Sequence, residues 1–330
     1  MKKIKTGIIG YGNLGRGVQK ALTHHQDLKL RGVFTRRKPE SLDVLPGAEN
    51  KVYHVREAEE FTEEIDVMLL CGGSAHDLPQ QGPKFANMFN TVDSFDNHEN
   101  IPDYYQELDK IAREQGNTCA VGIGWDPGLF SLNRMLMEAV LPQGDGYTFW
   151  GEGLSQGHSD AIREIAGVKD GVQYTIPKKN YIKKVRQGET PDKSPETRHK
   201  RHCYVVLEEG ADREKVTDKI KNMPNYFAGY ETEINFIEAE ELKEKHSNMP
   251  HGGFVLRNAL TGTSQEHRQV MEFSLDLASN PEFTASVMTA YARAVYRLNQ
   301  KNITGAKNVF DIPPGYLSSH TSQQLLREYL

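Results

Sequence analysis

Gly10-Tyr11-Gly12-Asn13-Leu14-Gly15 sets three glycines at GxGxxG spacing, directly after the apolar run at residues 4–9 and before helical spacing over residues 18–22. In that context the turn predicts a dinucleotide site. The first glycine permits the tight turn, the second lets the backbone approach a diphosphate, and the third lets helix and strand pack closely. The helix start adds amide donors and the positive end of its dipole. A glycine turn without a nucleotide is the plain alternative. The next strand ends in Thr35-Arg36-Arg37, with no carboxylate until Glu40. An NAD site usually places an acid there to bind the ribose 2′-hydroxyl, whereas a hydroxyl and two guanidiniums suit a 2′-phosphate. The cofactor expected is NADP, against the plain reading of a solvated basic turn.

Three further loops follow strand-like runs: Cys71-Gly72-Gly73-Ser74, Ser94-Phe95-Asp96-Asn97-His98, and residues 122–128, which contain Ile123-Gly124-Trp125-Asp126-Pro127-Gly128. Ligands of open α/β sheets sit at such carboxyl ends. No base accompanies Cys71, so it reads as a small buried residue. The Gly-Trp-Asp-Pro-Gly stretch is a rigid turn by composition, and its expected position at the sheet's switch region tilts it toward function.

The elements that must hold these loops alternate. Short apolar runs at 4–9, 28–34, 66–71, 91–93 and 118–121 are separated by helical stretches near 83–89 and 101–115. That alternation predicts an α/β fold with a Rossmann-type, doubly wound parallel sheet over residues 1–125. Beyond it, longer strand-like runs at 173–176, 203–207 and 230–236 predict a second, α+β domain with a mixed sheet over 126–300. Residues 178–202, dense in Lys, Arg and Pro, read as loops. Residues 283–298 form an amphipathic helix entered through Asn280-Pro281, and 301–330 is a C-terminal segment expected to pack back on the first domain.

Composition narrows the class. Of 330 residues 37% are hydrophobic and 26% charged, and the net charge is only -5, so nothing global points to nucleic acid or an anionic membrane. The cysteines, Cys71, Cys119 and Cys203, show neither CxxC spacing nor a disulfide framework, which fits a reducing cytoplasm. No stretch reads as a leader or a membrane span. His199 and His202 stand three apart without further ligands at metal-binding intervals, and no metal is expected.

Six blocks occur in order: GYGNLGR (10–16), FTRR (34–37), VDSFDNH (92–98), GWDPG (124–128), FWGEGLSQGHSDA (149–161) and MPHGG (249–253). Together they resemble the meso-diaminopimelate dehydrogenase family, the fifth block being the most specific. Thr35 and Phe95 depart conservatively from Ser and Tyr, and the resemblance fades after about residue 301. It implies reversible, NADP-dependent oxidative deamination of the D-centre of meso-2,6-diaminopimelate in lysine and diaminopimelate metabolism. It also implies a homodimer whose second domain serves both substrate binding and dimerisation. Implied cofactor contacts are Gly10, Tyr11, Gly12, Asn13, Leu14, Gly15, Thr35, Arg36, Arg37, Cys71, Gly72, Gly73, Ser74, Ser94, Phe95, Asp96, Ile123, Gly124, Trp125, Asp126 and Pro127. Implied substrate contacts are Asp96, Asp126, Trp150, Gln156, Gly157, Asp160, Thr175, Arg201, His251 and Asn280.

The residue types suit that chemistry. A substrate with two carboxylates and two ammonium groups needs a pocket of both charges. Asp96 and Asp126 could hold the reacting amine and accept its proton, which hydride transfer requires. Which of them is the base stays open, and capping a turn is the bland role for either. Arg201 lies in Arg198-His199-Lys200-Arg201-His202, and such runs are usually solvated. Gly252 and Gly253 would let a ligand approach His251. Two other readings remain: a Rossmann oxidoreductase of the sugar or inositol type, expected to use Lys or His on an alcohol, and a non-catalytic NADPH-sensing protein.

Overall fold

The computed structural model describes residues 3–48 and 51–330, which divide into two compact units: Met1–Leu132 with Pro281–Leu330, and Asn133–Asn280. In the first unit, strands β1 (Ile4–Ile9), β2 (Leu28–Thr35), β3 (Val52–His54), β4 (Val67–Leu70), β5 (Thr91–Asp93) and β6 (Thr118–Ala120) join the late strand Gly305–Lys307 in one sheet. Its order is Gly305–Lys307, β6, β5, β4, β1, β2, β3, and every neighbouring pair is parallel. A central strand of such a sheet is covered on both faces, which is why β4 reads Val-Met-Leu-Leu without alternation and is wholly buried. The strand order turns back between β1 and β4, so their tails flank the switch point where open sheets bind ligands. Helices α1 (Asn13–Thr23), α2 (Leu78–Ala86) and α3 (Ile101–Gln115) connect the strands.

The helix Asn280–Asn299 belongs to this unit from Pro281 onward, whereas the sequence reading carried the second domain to residue 300. Packing explains the difference. A Cβ at Gly17 of α1 would lie 3.0 Å from the Ala285 Cβ, and Ala285, Met288, Tyr291 and Val295 share one core with Ile8, Val33 and Leu69. Arg293, itself buried, donates to Asp27 at 2.7 Å. An amphipathic pattern shows that a helix buries a face, but not against which partner.

The second unit holds two sheets. Strands β7 (Asp145–Trp150), β8 (Gly153–Leu154), β9 (Val168–Pro177), β10 (His199–Leu207), β11 (Glu231–Phe236), β12 (His251–Thr261) and β13 (His267–Leu277) divide as β11-β10-β9-β8 and β13-β12-β7. The first sheet is mixed, since β10 pairs parallel with β11 and antiparallel with β9; the second is antiparallel. Helices α4 (Leu129–Val140), α5 (Gln156–Arg163) and α6 (Lys179–Arg186) come next in chain order. Residues 178–202 are not the loops their composition predicts. Tyr181 and Val185 on α6 pack against Phe149 and Leu256, and β10 begins at His199. Along β10, His199, Arg201 and Cys203 are buried while Lys200, His202 and Tyr204 are part-exposed, a two-residue period hidden inside a run of like charge. Among the described residues, no helix is long and apolar enough to cross a membrane.

Candidate active site

In the first unit the three fingerprint glycines divide their work as the spacing requires. Gly10 has φ +87°, and a Cβ there would press on the Cys71 carbonyl at 3.2 Å. A Cβ at Gly15 would fall 2.2 Å from the Gly10 oxygen, so only glycine lets α1 start this close to β1. A Cβ at Gly12 would meet nothing within 4 Å. The backbone is therefore open to a ligand at the residue that must approach a diphosphate. The first turn of α1 carries no acid, and Gly12 offers no side-chain cap, so its amides keep their affinity for an anion.

The tail of β2 brings the basic pair to the same edge. Thr35 is buried, its hydroxyl accepting from Arg37 N at 3.2 Å, while Arg36 and Arg37 are exposed. Arg37 donates to the Tyr11 carbonyl at 2.7 Å, and Arg36 pairs with Asp77 at 2.8 Å. Several implied cofactor contacts can act only through their backbone. The Tyr11 ring is buried, its hydroxyl donating to Gln19 and accepting from Leu45 N. Cys71, Phe95, Ile123 and Trp125 are also buried, and burial raises the Cys71 thiol far above its usual range. Among the described residues all three cysteines are free thiols.

The loops after β4, β5 and β6 are tied to one another. Asp96 N donates to Ser74 Oγ at 2.8 Å, and Asp96 itself is exposed. Trp125 and Gly128 form a bridge across the Gly-Trp-Asp-Pro-Gly turn, and Phe130 N donates to Trp125 O at 2.8 Å. Trp125 packs edge-on against Phe130 at 5.2 Å, and Asp126 beside it is half-buried. The turn follows β6, two strands from β4, and so is not at the switch point between β1 and β4 where the sequence reading expects it. Asp93, which lies in the VDSFDNH block but has no role assigned to it from sequence, joins the β5 and β6 loops through its buried carboxylate. A polar residue closing a three-residue strand gives no hint of bonds from a loop about thirty residues away.

The second unit gathers a different set. Register places Gly153, Thr175 and Arg201 side by side across β8, β9 and β10. Arg201 Nη1 donates to Thr175 Oγ1 at 2.6 Å, and its guanidinium lies 3.9 Å from the Tyr230 ring centroid. Arg201 is only 7% exposed, its Nε has no hydrogen-bond partner, and no carboxylate pairs with it among the described residues. A buried cation without an anion is costly, and an incoming carboxylate would relieve it. His251 packs over Gly153, where a Cβ would fall 2.6 Å from the His251 Cγ. Trp150 N donates to His199 Nε2 at 3.0 Å, and His199 Nδ1 lies 3.1 Å from the Pro195 carbonyl, so the ring carries its proton on Nδ1. Burial pulls the His199 pKa down to about 4, keeping it neutral.

Other implied contacts lie apart from that row. Gln156, Gly157 and Asp160 occupy α5; Asp160 pairs with Arg163, and Gln156 donates to the Met249 sulfur at 3.5 Å. Gly157 and Asp160 line a pocket of about 400 Å³ with Met223 and Tyr226. Asn280 N donates to the Met249 carbonyl at 3.0 Å. Gly252 and Gly253 serve neighbouring strands rather than ligand approach: a Cβ would fall 2.2 Å from the Leu275 oxygen or 2.0 Å from the Phe149 oxygen. His199 and His202 project to opposite faces of β10, His202 meeting Asn235 at 2.6 Å, so they do not share a site.

Residues 124–279 match the family model described as the diaminopimelic acid dehydrogenase C-terminal domain. The chain is 56% identical to the meso-diaminopimelate D-dehydrogenase of Ureibacillus thermosphaericus, with 100% of both chains covered. Among solved structures, the C. glutamicum diaminopimelate dehydrogenase in complex with diaminopimelate is 42% identical with a TM-score of 0.92, again over 100% of both chains. An engineered D-amino acid dehydrogenase bound to NADP+ is 40% identical with a TM-score of 0.87 over 100% of both chains.

Proposed function

The chain belongs to the meso-diaminopimelate D-dehydrogenase family, and from that premise we propose that it oxidatively deaminates the D-centre of meso-2,6-diaminopimelate with NADP+. The products are L-2-amino-6-oxopimelate and ammonia, and the reverse reaction is a reductive amination. NADP+, when bound, supplies the hydride acceptor. The backbone at Gly10, Gly12 and Asn13, with the start of α1, would hold its diphosphate, and Thr35, Arg36 and Arg37 its 2′-phosphate. Before hydride leaves the substrate carbon, the ammonium must lose a proton, and Asp96 and Asp126 are the carboxylates assigned to hold the amine and take that proton. Loss of hydride from the neutral amine leaves an iminium; water adds to its carbon, and the adduct collapses to the oxo product and ammonia with release of a proton.

The substrate class rests on one observation: Arg201, buried and without a carboxylate partner among the described residues. Its planar fork suits a carboxylate, with Thr175 holding one nitrogen and His251, on β12 of the other sheet, packed over Gly153 at the β8 end of that row. We assign it the distal, non-reacting carboxylate. Trp150, steadied by His199, would shape the substrate seat, and Gln156, Gly157, Asp160 and Asn280 complete the proposed contacts.

The test is NADP+ reduction with meso-, LL- and DD-diaminopimelate side by side. Turnover of the meso isomer above the DD isomer, with none of the LL isomer, is expected. Turnover of a polyol in place of all three would overturn the reading. A cytoplasmic homodimer accompanies it. Exposed Met135, Leu136 and Val140 on α4 and Leu260 and Val270 on β12 and β13 are apolar surface that a second copy would cover. Size-exclusion chromatography at one-chain mass would remove the dimer.

A further inference from the structure

Asp93 ends β5 with no exposed surface. One of its carboxylate oxygens accepts from Phe95 N at 3.0 Å and from Gly122 N at 3.1 Å. The other accepts from the Tyr104 hydroxyl at 3.0 Å, and the Asp93 carbonyl accepts from Ile123 N at 2.8 Å. No cation pairs with this carboxylate among the described residues, so N–H and O–H dipoles alone balance it. Burial pushes its pKa up to about 6 against the pull of those three bonds.

The bonds fall where the sheet stops holding the chain. β5 and β6 pair only at Thr91–Cys119 and Val92–Ala120. Past that register the strands separate into the loops that carry Asp96 and Asp126. Phe95 is the immediate neighbour of Asp96, and Gly122 opens the segment leading to Asp126. The Phe95 ring stacks on Tyr104 at 4.2 Å, so the donor to one carboxylate oxygen braces the donor to the other. Tyr104 in turn fills the space above Gly82 of α2, where a Cβ would lie 2.0 Å from its hydroxyl. Both loops are therefore fixed to the helix layer through one side chain.

We propose that Asp93 is a positioning residue for the reaction: its carboxylate clamps the tails of β5 and β6 and so fixes the separation of Asp96 and Asp126. This rests on the reading of those two aspartates as the groups that hold the reacting amine. Asp93 touches neither substrate nor cofactor; it acts through the two loops. Displacement of a catalytic group by about 1 Å lowers rates on the order of 100-fold.

Asp93→Ala and Asp93→Asn in the full chain separate the clamp from mere stability. The Asn carbonyl oxygen can still accept from both amides, and the Tyr104 hydroxyl can turn to accept from its NH2. The Ala variant should lose roughly 10- to 100-fold in kcat for meso-diaminopimelate. Its KM for NADP+ should change by a smaller factor than kcat, because the diphosphate and 2′-phosphate contacts lie on other strands and only the implied contacts at 94–96 and 123–127 move with the clamp. The Asn variant should regain most of the lost kcat. A folded Ala variant with wild-type kcat, or a folded Asn variant as slow as Ala, would overturn the clamp. If Ala does not fold, Asp93→Ser replaces it, since one short hydroxyl cannot reach both amides; Ser as fast as Asn would be the contrary result. Amide hydrogen exchange at Phe95 and Gly122 reads the clamp without turnover. It should quicken in Ala or Ser and stay slow in Asn, and unchanged protection in all variants would refute the clamp. A wild-type protein that failed on diaminopimelate would remove the substrate reading and leave this exchange measurement to decide.

Discussion

Arg36 on the tail of β2 and Asp77 at the start of α2 form an ion pair at 2.8 Å, and the second Asp77 oxygen accepts from Gly73 N at 2.9 Å. The carboxylate thus aims a guanidinium that a 2′-phosphate must win from it. Replacing Arg36 and Arg37 together by Gln should weaken NADP+ binding far more than NAD+ binding, each lost charge-assisted bond being worth about 1.5–3 kcal/mol. Asp77→Asn should act in the opposite sense and tighten NADP+ with NAD+ unchanged. Dissociation constants from nucleotide fluorescence decide both, and equal effects on the two nucleotides would remove the 2′-phosphate assignment.

Asp126→Asn is nearly isosteric but can neither take a proton nor balance an ammonium. Deamination should slow by roughly 100-fold or more if Asp126 is the general base. The same substitution at Asp96 gives the comparison, and the deeper loss in kcat identifies the base. Unaltered kcat and kcat/KM in the Asp126 variant would take it out of the chemistry.

Arg201→Met keeps much of the apolar stem while removing the charge and the donors. Losing one partner of a buried charge pair typically costs about 2–5 kcal/mol, so kcat/KM for meso-diaminopimelate should fall roughly 30-fold to several thousand-fold. D-amino acids with apolar side chains lack the distal carboxylate and should be turned over as well as before, or better. The quantity to measure is the ratio of the two kcat/KM values. An unchanged ratio would put the distal anchor elsewhere.

His199 supplies a pH test. Its pKa falls from 6.5 to about 4, chiefly through burial, so the folded chain favours the neutral ring. The stability this gives is present above pH 6.5 and lost as the pH falls through about 4, up to about 3 kcal/mol over that interval. Thermal unfolding of His199→Gln should therefore be flatter than wild type between pH 7 and 4.5. His158, held down near 3 mainly by burial, stays in both proteins and sets the shared acid limit. Parallel pH profiles would mean that His199 is not buried neutral.

What could be read from the sequence was local. The glycine spacing at residues 10–15 and the basic pair at 36 and 37 act within a few residues of themselves, and the unbroken apolar run of β4 follows from burial on both faces. What could not be read depends on partners distant in the chain. Arg201 looks solvated in a run of charges until β9 supplies Thr175 across from it. Gly252 and Gly253 look like room for a ligand until β13 and β7 close over them. Asp93 is an ordinary strand end until Gly122 donates to it.

The strand Gly305–Lys307 pairs with β6 and so completes a sheet whose other six strands end by Ala120. A ribosome adds about 5–20 residues per second, so the free edge of β6 stays unpaired for roughly tens of seconds after that strand emerges. The unit Asn133–Asn280 is fully synthesised within this interval, while the nucleotide-binding unit still lacks the helix Asn280–Asn299 and its last strand. On a translating ribosome the later-encoded domain is therefore the first whose sequence is complete. A nascent chain stalled before residue 305 would present the open β6 edge to chaperones.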